Sequence, residues 1–415
     1  MPTFTYVAKD QTGKIVKSSS EAENEKILVK RLREQGYWVT GVKRARGAAA
    51  AKEGAPAKKP LISFGRVKLG DLTIFCRQFA TMINAGVSLV RCLAVLENQS
   101  TNVKLKEIIR EIQTQVEGGA TLSKSLMKFP KVFSNLFMGL IRAGEVGGVL
   151  DETLERLAGF LEADMNLRRK IKSAMTYPVL VLFVATGIVL FLMTFILPKF
   201  MQLFEELGIG EDKMPAMTIM LKHMSDFLLK RWYLVLAGVI AFSMAFKAYT
   251  NTKMGKRQWD WVKLRVPVFG KLNHKISVAR FARTLSTLLT SGVPILQAME
   301  TVAGAVGNEI LQEAILNART AIREGERIGD PLEKSGLFPP MVVQMISIGE
   351  ETGALDQMLS KIADFYEQEV EATLESLAAA LEPIMIVILG FIVGFIVIAM
   401  FLPLIAVINQ LSGES

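Results

Sequence analysis

The chain has almost none of the side chains that carry metal or nucleophilic chemistry: its 415 residues include two histidines and two cysteines. Cys76 and Cys92 form no Cys-x-x-Cys and have no second pair, which excludes a thiolate zinc or iron–sulfur set. Both lie among apolar residues and read as reduced core cysteines. His223 and His274 lack a partner at metal-ligand spacing, so a histidine-dependent triad or metallohydrolase is disfavoured. Gly-Lys occurs at Gly13-Lys14, Gly255-Lys256 and Gly270-Lys271, yet none continues into Ser or Thr as a phosphate-binding loop requires. The expectation is a protein that hydrolyses no nucleotide and carries no catalytic, cofactor or metal residue.

A concentrated basic stripe with interleaved aromatics is also missing, which argues against nucleic acid as a partner. The net charge is +9, but its sign changes along the chain. Residues 61–172 carry 16 Lys/Arg against 11 Asp/Glu, whereas residues 251–382 carry 14 against 17. Two stretches have no Asp, Glu, Lys or Arg at all: residues 173–198 and 383–413. Each matches the roughly 20 helical residues that cross a bilayer. A third, Trp232–Phe246, has only 15 uncharged residues and reaches that length with help from its flanks, where Arg231 and Lys247 snorkel.

What is present is a repeat. Leu72, Phe75, Cys76, Phe79, Met82 and Ile83 mark one helical face, and Val278, Phe281, Ala282, Leu285, Leu288 and Leu289 repeat its spacing 206 residues later. Further on the offset becomes 205: Gly144-Glu145 aligns with Gly349-Glu350, Pro178 with Pro383, and Pro198 with Pro403. The fold class read from this is all-α: two duplicated cytoplasmic helical bundles, each feeding a membrane helix, with three transmembrane helices altogether. A small N-terminal α+β unit (residues 1–43) precedes them, with strands at Thr3–Val7 and Ile15–Val16, a turn at Asp10–Gly13 and a helix over Glu21–Gln35. An Ala/Lys/Gly/Pro linker (44–60) leads to the first bundle (61–172) and the first span (173–198). A periplasmic segment (199–231), the second span (232–250), the second bundle (251–382), the third span (383–408) and a periplasmic tail (409–415) complete the order. With all three spans counted, both homologous bundles share one side. Arg168, Arg169, Lys170, Lys172 and the seven Lys/Arg of residues 251–275 mark that side as cytoplasmic, so the N-terminus is in and the C-terminus out.

Two kinds of position stand out. The turn Gly-Glu-x-x-Gly-x-Leu-Asp occurs at Gly144, Glu145, Gly148 and Asp151 and again at Gly349, Glu350, Gly353 and Asp356. Its glycines are expected to end one helix at positive φ, and Asp151 or Asp356 to open the next. At the membrane entries, Tyr177-Pro178 aligns with Glu382-Pro383. An acid at such a boundary is a candidate partner contact. The prolines suit the first turn of a membrane helix, or a hinge between bundle and span.

These features resemble the type II secretion system F family, the inner-membrane platform proteins of type IV pili and type II secretion systems. The matching motifs are Phe75-x-Arg77-Gln78-Phe79 leading to Gly86-Val87, both acidic turns, Tyr177-Pro178 and Met214-Pro215-x-x-Thr218. Gly292-Val293-Pro294, Glu382-Pro383 and Leu402-Pro403 complete the set, over residues 1–411 in order. The family usually has Leu where this chain has Met214. The resemblance implies a non-enzymatic platform in the bacterial inner membrane. Its partners would be a hexameric assembly or retraction ATPase, pilin or pseudopilin subunits, other inner-membrane assembly proteins, the lipid bilayer and further copies of itself. The Ala/Lys linker favours the pilus branch over secretion. A small transporter is the alternative of a different class, opposed by spans with almost no polar groups. Gly390-x-x-x-Gly394 offers the small residues that a helix–helix platform uses.

Overall fold

The computed structural model describes residues 3–9, 15–21, 24, 27–30, 38–44, 65–206 and 214–411. It divides into two units, residues 1–63 and 64–415.

In the first unit, β1 (Thr3–Lys9) pairs antiparallel with β2 (Ile15–Glu21) and with β3 (Trp38–Arg44), giving the order β2-β1-β3. Two of these features depart from the sequence reading. β2 runs on through Ser18–Ser20 to Glu21, because pairing of these serines with Tyr6, Thr5 and Phe4 outweighs their weak strand preference. β3 was not anticipated; its Val39, Thr40 and Val42 are β-branched, but Gly41 and the basic residues hide the pattern. Helix is present at 27–30, within the expected span Glu21–Gln35, but Glu21 itself ends β2 through its pairing with Thr3. The expected turn at Asp10–Gly13 lies outside the described residues, as does the expected linker 44–60 apart from Arg44, which ends β3 instead.

The second unit is helical and visibly duplicated. The first copy comprises α1 (Leu69–Asn84), α2 (Leu89–Gln99), α3 (Val103–Glu117), α4 (Leu122–Leu126), α5 (Asn135–Gly147) and α6 (Leu150–Phe191). A π-helical turn (Leu192–Ile196) and α7 (Leu197–Glu206) prolong α6. After α8 (Ala216–Thr250) and α9 (Lys253–Arg265), the second copy repeats the order. It consists of α10 (Phe269–Thr290), α11 (Ile295–Ala305), α12 (Glu309–Arg323), α13 (Gly329–Lys334), α14 (Pro340–Thr352) and α15 (Leu355–Leu411). The same local chemistry starts equivalent helices. Asn102 accepts from the N–H groups of Lys104 and Leu105, and Asn308 from those of Ile310 and Leu311.

The predicted stripes are the core faces. Phe75, Cys76 and Phe79 are buried against Phe133, Phe137 and Leu154, and Phe281, Ala282 and Leu285 against Phe338, Val342 and Ile362. One apolar cluster runs through both copies, so the bundles are packed halves of one body. Their shared side requires an even number of crossings between them. Three helical stretches are long and apolar enough to cross a membrane: Leu150–Glu206, Ala216–Thr250 and Leu355–Ile405. The second, which fell short as a sequence run, gains its length because residues 216–231 are helical too. Arg231 (φ −129°, ψ 26°) kinks α8 at the junction.

Candidate functional site

Each acidic turn is a compact piece of helix packing. Gly148 and Gly353 both end their helices at φ 70°, as the sequence led one to expect. Gly144 and Gly349 answer a different need, close approach. A Cβ on Gly144 would stand 2.0 Å from Thr153 Oγ1, and one on Gly349 2.9 Å from Leu355 Cα. The acids have roles the sequence did not reveal. Glu145 accepts from Leu122 N–H and, at 3.0 Å, from Ser123 N–H, capping α4 from another helix. Glu350 accepts from Ile328 N–H at 2.8 Å, at the start of α13. Asp151 and Asp356 lie within the first turns of α6 and α15, but Val149 occupies the N-cap of α6 and gives no side-chain bond. They therefore complement the helix dipole rather than cap it. No three His, Cys, Asp or Glu side chains gather as a metal set among the described residues.

Arginines fasten the first helix of each copy to its last. The Arg77 guanidinium donates to both Glu162 oxygens at 2.7 Å and also pairs with Glu155. Arg283, its duplicate, pairs with Glu367 at 2.9 Å and Asp364 at 2.6 Å. Glu162 and Glu367 are themselves equivalent, so this clamp is older than the divergence of the copies. Arg77 holds the Glu162 carboxyl below the ordinary carboxylate range.

At the membrane entries the structure brings the two candidate junctions together. The Tyr177 hydroxyl donates to Glu382 Oε1 at 3.2 Å, so residues equivalent in the duplication touch each other. Two turns before Tyr177 and three before Glu382, Lys170 Nζ meets Glu371 at 2.5 Å. The first-turn reading of the prolines is corrected: Pro178 and Pro383 lie deep inside α6 and α15. Each helix continues past its missing N–H, so bundle and span share one helix. One turn beyond, an apolar cleft of about 360 Å³ opens among α6, α8 and α15, lined by Val181, Ala185, Met224, Leu228, Met385 and Ile388. Gly390 and Gly394 border none of the chain's own packing: a Cβ on either would meet nothing within 4 Å.

The description "Type II secretion system (T2SS), protein F" matches this chain twice, over residues 75–198 and 281–403, and that family's N-terminal domain matches residues 1–43. The paired limits, Phe75 with Phe281 and Pro198 with Pro403, coincide with the internal repeat. The chain is 45% identical over 415 residues, 100% of each chain, to a Thermus thermophilus protein named Type IV pilus assembly protein PilC. It is 40% identical over 401 residues to a protein of the same name from Myxococcus xanthus, covering 97% of this chain and 94% of that one. It is 33% identical over 415 residues to Type II secretion system protein F of Vibrio cholerae, covering 99% of this chain and 100% of that one.

Proposed function

The chain belongs to the type II secretion system protein F family, and from that premise we propose that it is the non-enzymatic inner-membrane platform of a type IV pilus assembly machine. In this reading it couples a cytoplasmic hexameric ATPase to the insertion or removal of pilin subunits, with its N-terminus in the cytoplasm and its C-terminus in the periplasm. The observation that carries the pilus branch is the full-length likeness to the pilus assembly protein of Thermus thermophilus, at 45% identity. The geometry supports a mechanical role. Each bundle and its span share one helix, so displacement of a bundle reaches the membrane along it, bending only where Pro178 and Pro383 remove a backbone hydrogen bond. Tyr177, Pro178, Glu382 and Pro383 stand where that motion enters the bilayer. A platform for a type II secretion system is the second reading, favoured by 33% identity to the Vibrio cholerae protein along the whole chain.

The test is genetic. A deletion strain should lose surface pili and keep type II secretion; the reverse outcome assigns the secretion branch. Complementation with Pro178→Ala, Pro383→Ala or Glu382→Gln should restore membrane protein but not full piliation. Normal piliation by all three at normal level would remove the junctions from the mechanism. The purified protein should hydrolyse no ATP.

A further inference from the structure

Two motifs without an assigned role, Met214-Pro215-x-x-Thr218 and Leu402-Pro403, meet in the structure. Thr218 is fully buried, and its Oγ1 donates to the Ala399 carbonyl at 2.5 Å. Ala399 lies four residues before Pro403, so its carbonyl is the one that the proline, lacking an N–H, leaves without a helical donor. The duplicated proline, Pro198, creates the same deficit in the other span. There the π-helical turn sends the Leu197 N–H back to Leu192, and the donor five residues after Met193 would be Pro198 itself. The Met193 carbonyl is filled instead by Ser225 Oγ, buried and 2.5 Å away.

Both hydroxyls come from the first half of α8. They are seven residues apart, two turns along one face. Met214 and Leu221 pack alongside into an apolar cluster with Met193, Leu197, Ile396 and Met400. The contact ends at the Arg231 kink, beyond which none of residues 232–249 is buried. A carbonyl without a donor is costly inside hydrocarbon, where water cannot replace it.

We propose that residues 216–229 are a clasp locking α6 and α15 in one register at the ends remote from the bundles, with Thr218 and Ser225 as its positioning residues. The prolines open one carbonyl in each span, and the clasp reads both. Tied here and at Tyr177–Glu382, the two spans tilt together when the bundles move instead of parting. The clasp consists of contacts within this chain and stands apart from the choice of partner, so piliation is not its readout.

The experiment is hydrogen exchange on the full chain in lipid nanodiscs, followed in peptides covering 216–229. Thr218→Val should speed exchange there about three- to tenfold, the worth of one hydrogen bond, and Thr218→Ser should behave as the parent. In Pro403→Ala, the alanine N–H supplies Ala399, so adding Thr218→Val should change exchange by less than about twofold. Ser225→Ala and Pro198→Ala should show the same dependence. A Thr218→Val chain that fails to fold but is rescued by Pro403→Ala supports the clasp equally. Equal effects of Thr218→Val in both backgrounds, failure to fold in both, or no effect in the parent would overturn it.

Discussion

Thr153 decides what residue 144 can be. Its hydroxyl donates to the Val149 and Leu150 carbonyls and is therefore fixed where a Cβ at 144 would go. Gly144→Ala should lower stability by about 1–3 kcal/mol through overpacking, measured as the melting temperature of purified protein. Gly148→Ala, strained only by its positive φ, should cost about 1–2 kcal/mol. A larger loss at 148 than at 144 would reverse the roles given to these glycines. The cysteines make a second residue-level case. Burial pushes the Cys76 thiol well above its ordinary range and raises Cys92 as well. Neither should react with a thiol reagent at about pH 8 in the folded protein, and both should after denaturation. The sequence already marked these thiols as core and Gly148 as a helix end, but it did not show Gly144 to be a point of close approach inside the helix. It gave no sign that Glu145 and Glu350 cap α4 and α13, because those partners lie 23 and 22 residues away and belong to other helices.

At the scale of helices, the stripes were legible because burial of one face imposes a period of about 3.6 residues. Phe79, 1% exposed, lies at the centre of the α1 stripe. Phe79→Asp should leave the full chain without a cooperative melt, since it buries an unpaired charge; an unchanged melting temperature would show the core face to be misassigned. The clamps between helices were less legible, since Arg77 and Glu162 are 85 residues apart. Their pairing also sets a pH dependence. The folded Glu162 is more acidic than the unfolded one, so its contribution is complete above the unfolded value of about 4.3 and is lost as pH falls through the lower folded value. The pair is partly exposed and screened, so the effect is small. Glu162→Gln should accordingly flatten the decline of melting temperature between about pH 5 and pH 3. Proline misled for a related reason. It normally marks a helix start, but a membrane-spanning helix tolerates it in its interior, as α6 and α15 do.

For the whole molecule, the two bundles carry net charges of opposite sign, yet the contacts between them are mixed. Lys170 of the first copy meets Glu371 of the second, but Asp164 of the first meets Arg280 of the second at 3.7 Å. Arg156 also donates to the Thr290 carbonyl across the same boundary. The pairs run in both directions, so net charge does not describe this interface; the shared apolar cluster does. That packing bears on topology. Bundles in contact must lie on one side of the membrane, so the chain between α6 and α10 crosses an even number of times, and the second helix of that return is α8. The sequence run Trp232–Phe246, which the sequence already counted as a span with help from its flanks, is short by itself, whereas the 35 residues of α8, about 50 Å of helix, suffice even with a kink at Arg231. From the basic residues beside the bundles we expect that common side to be the cytoplasmic one. Reporter fusions after Ser173, Glu206, Asn273 and Ser415 should read cytoplasmic, periplasmic, cytoplasmic and periplasmic. A cytoplasmic signal after Glu206 would mean that α8 does not cross, and the basic residues at 168–172 and 253–275 would no longer identify a common inner side.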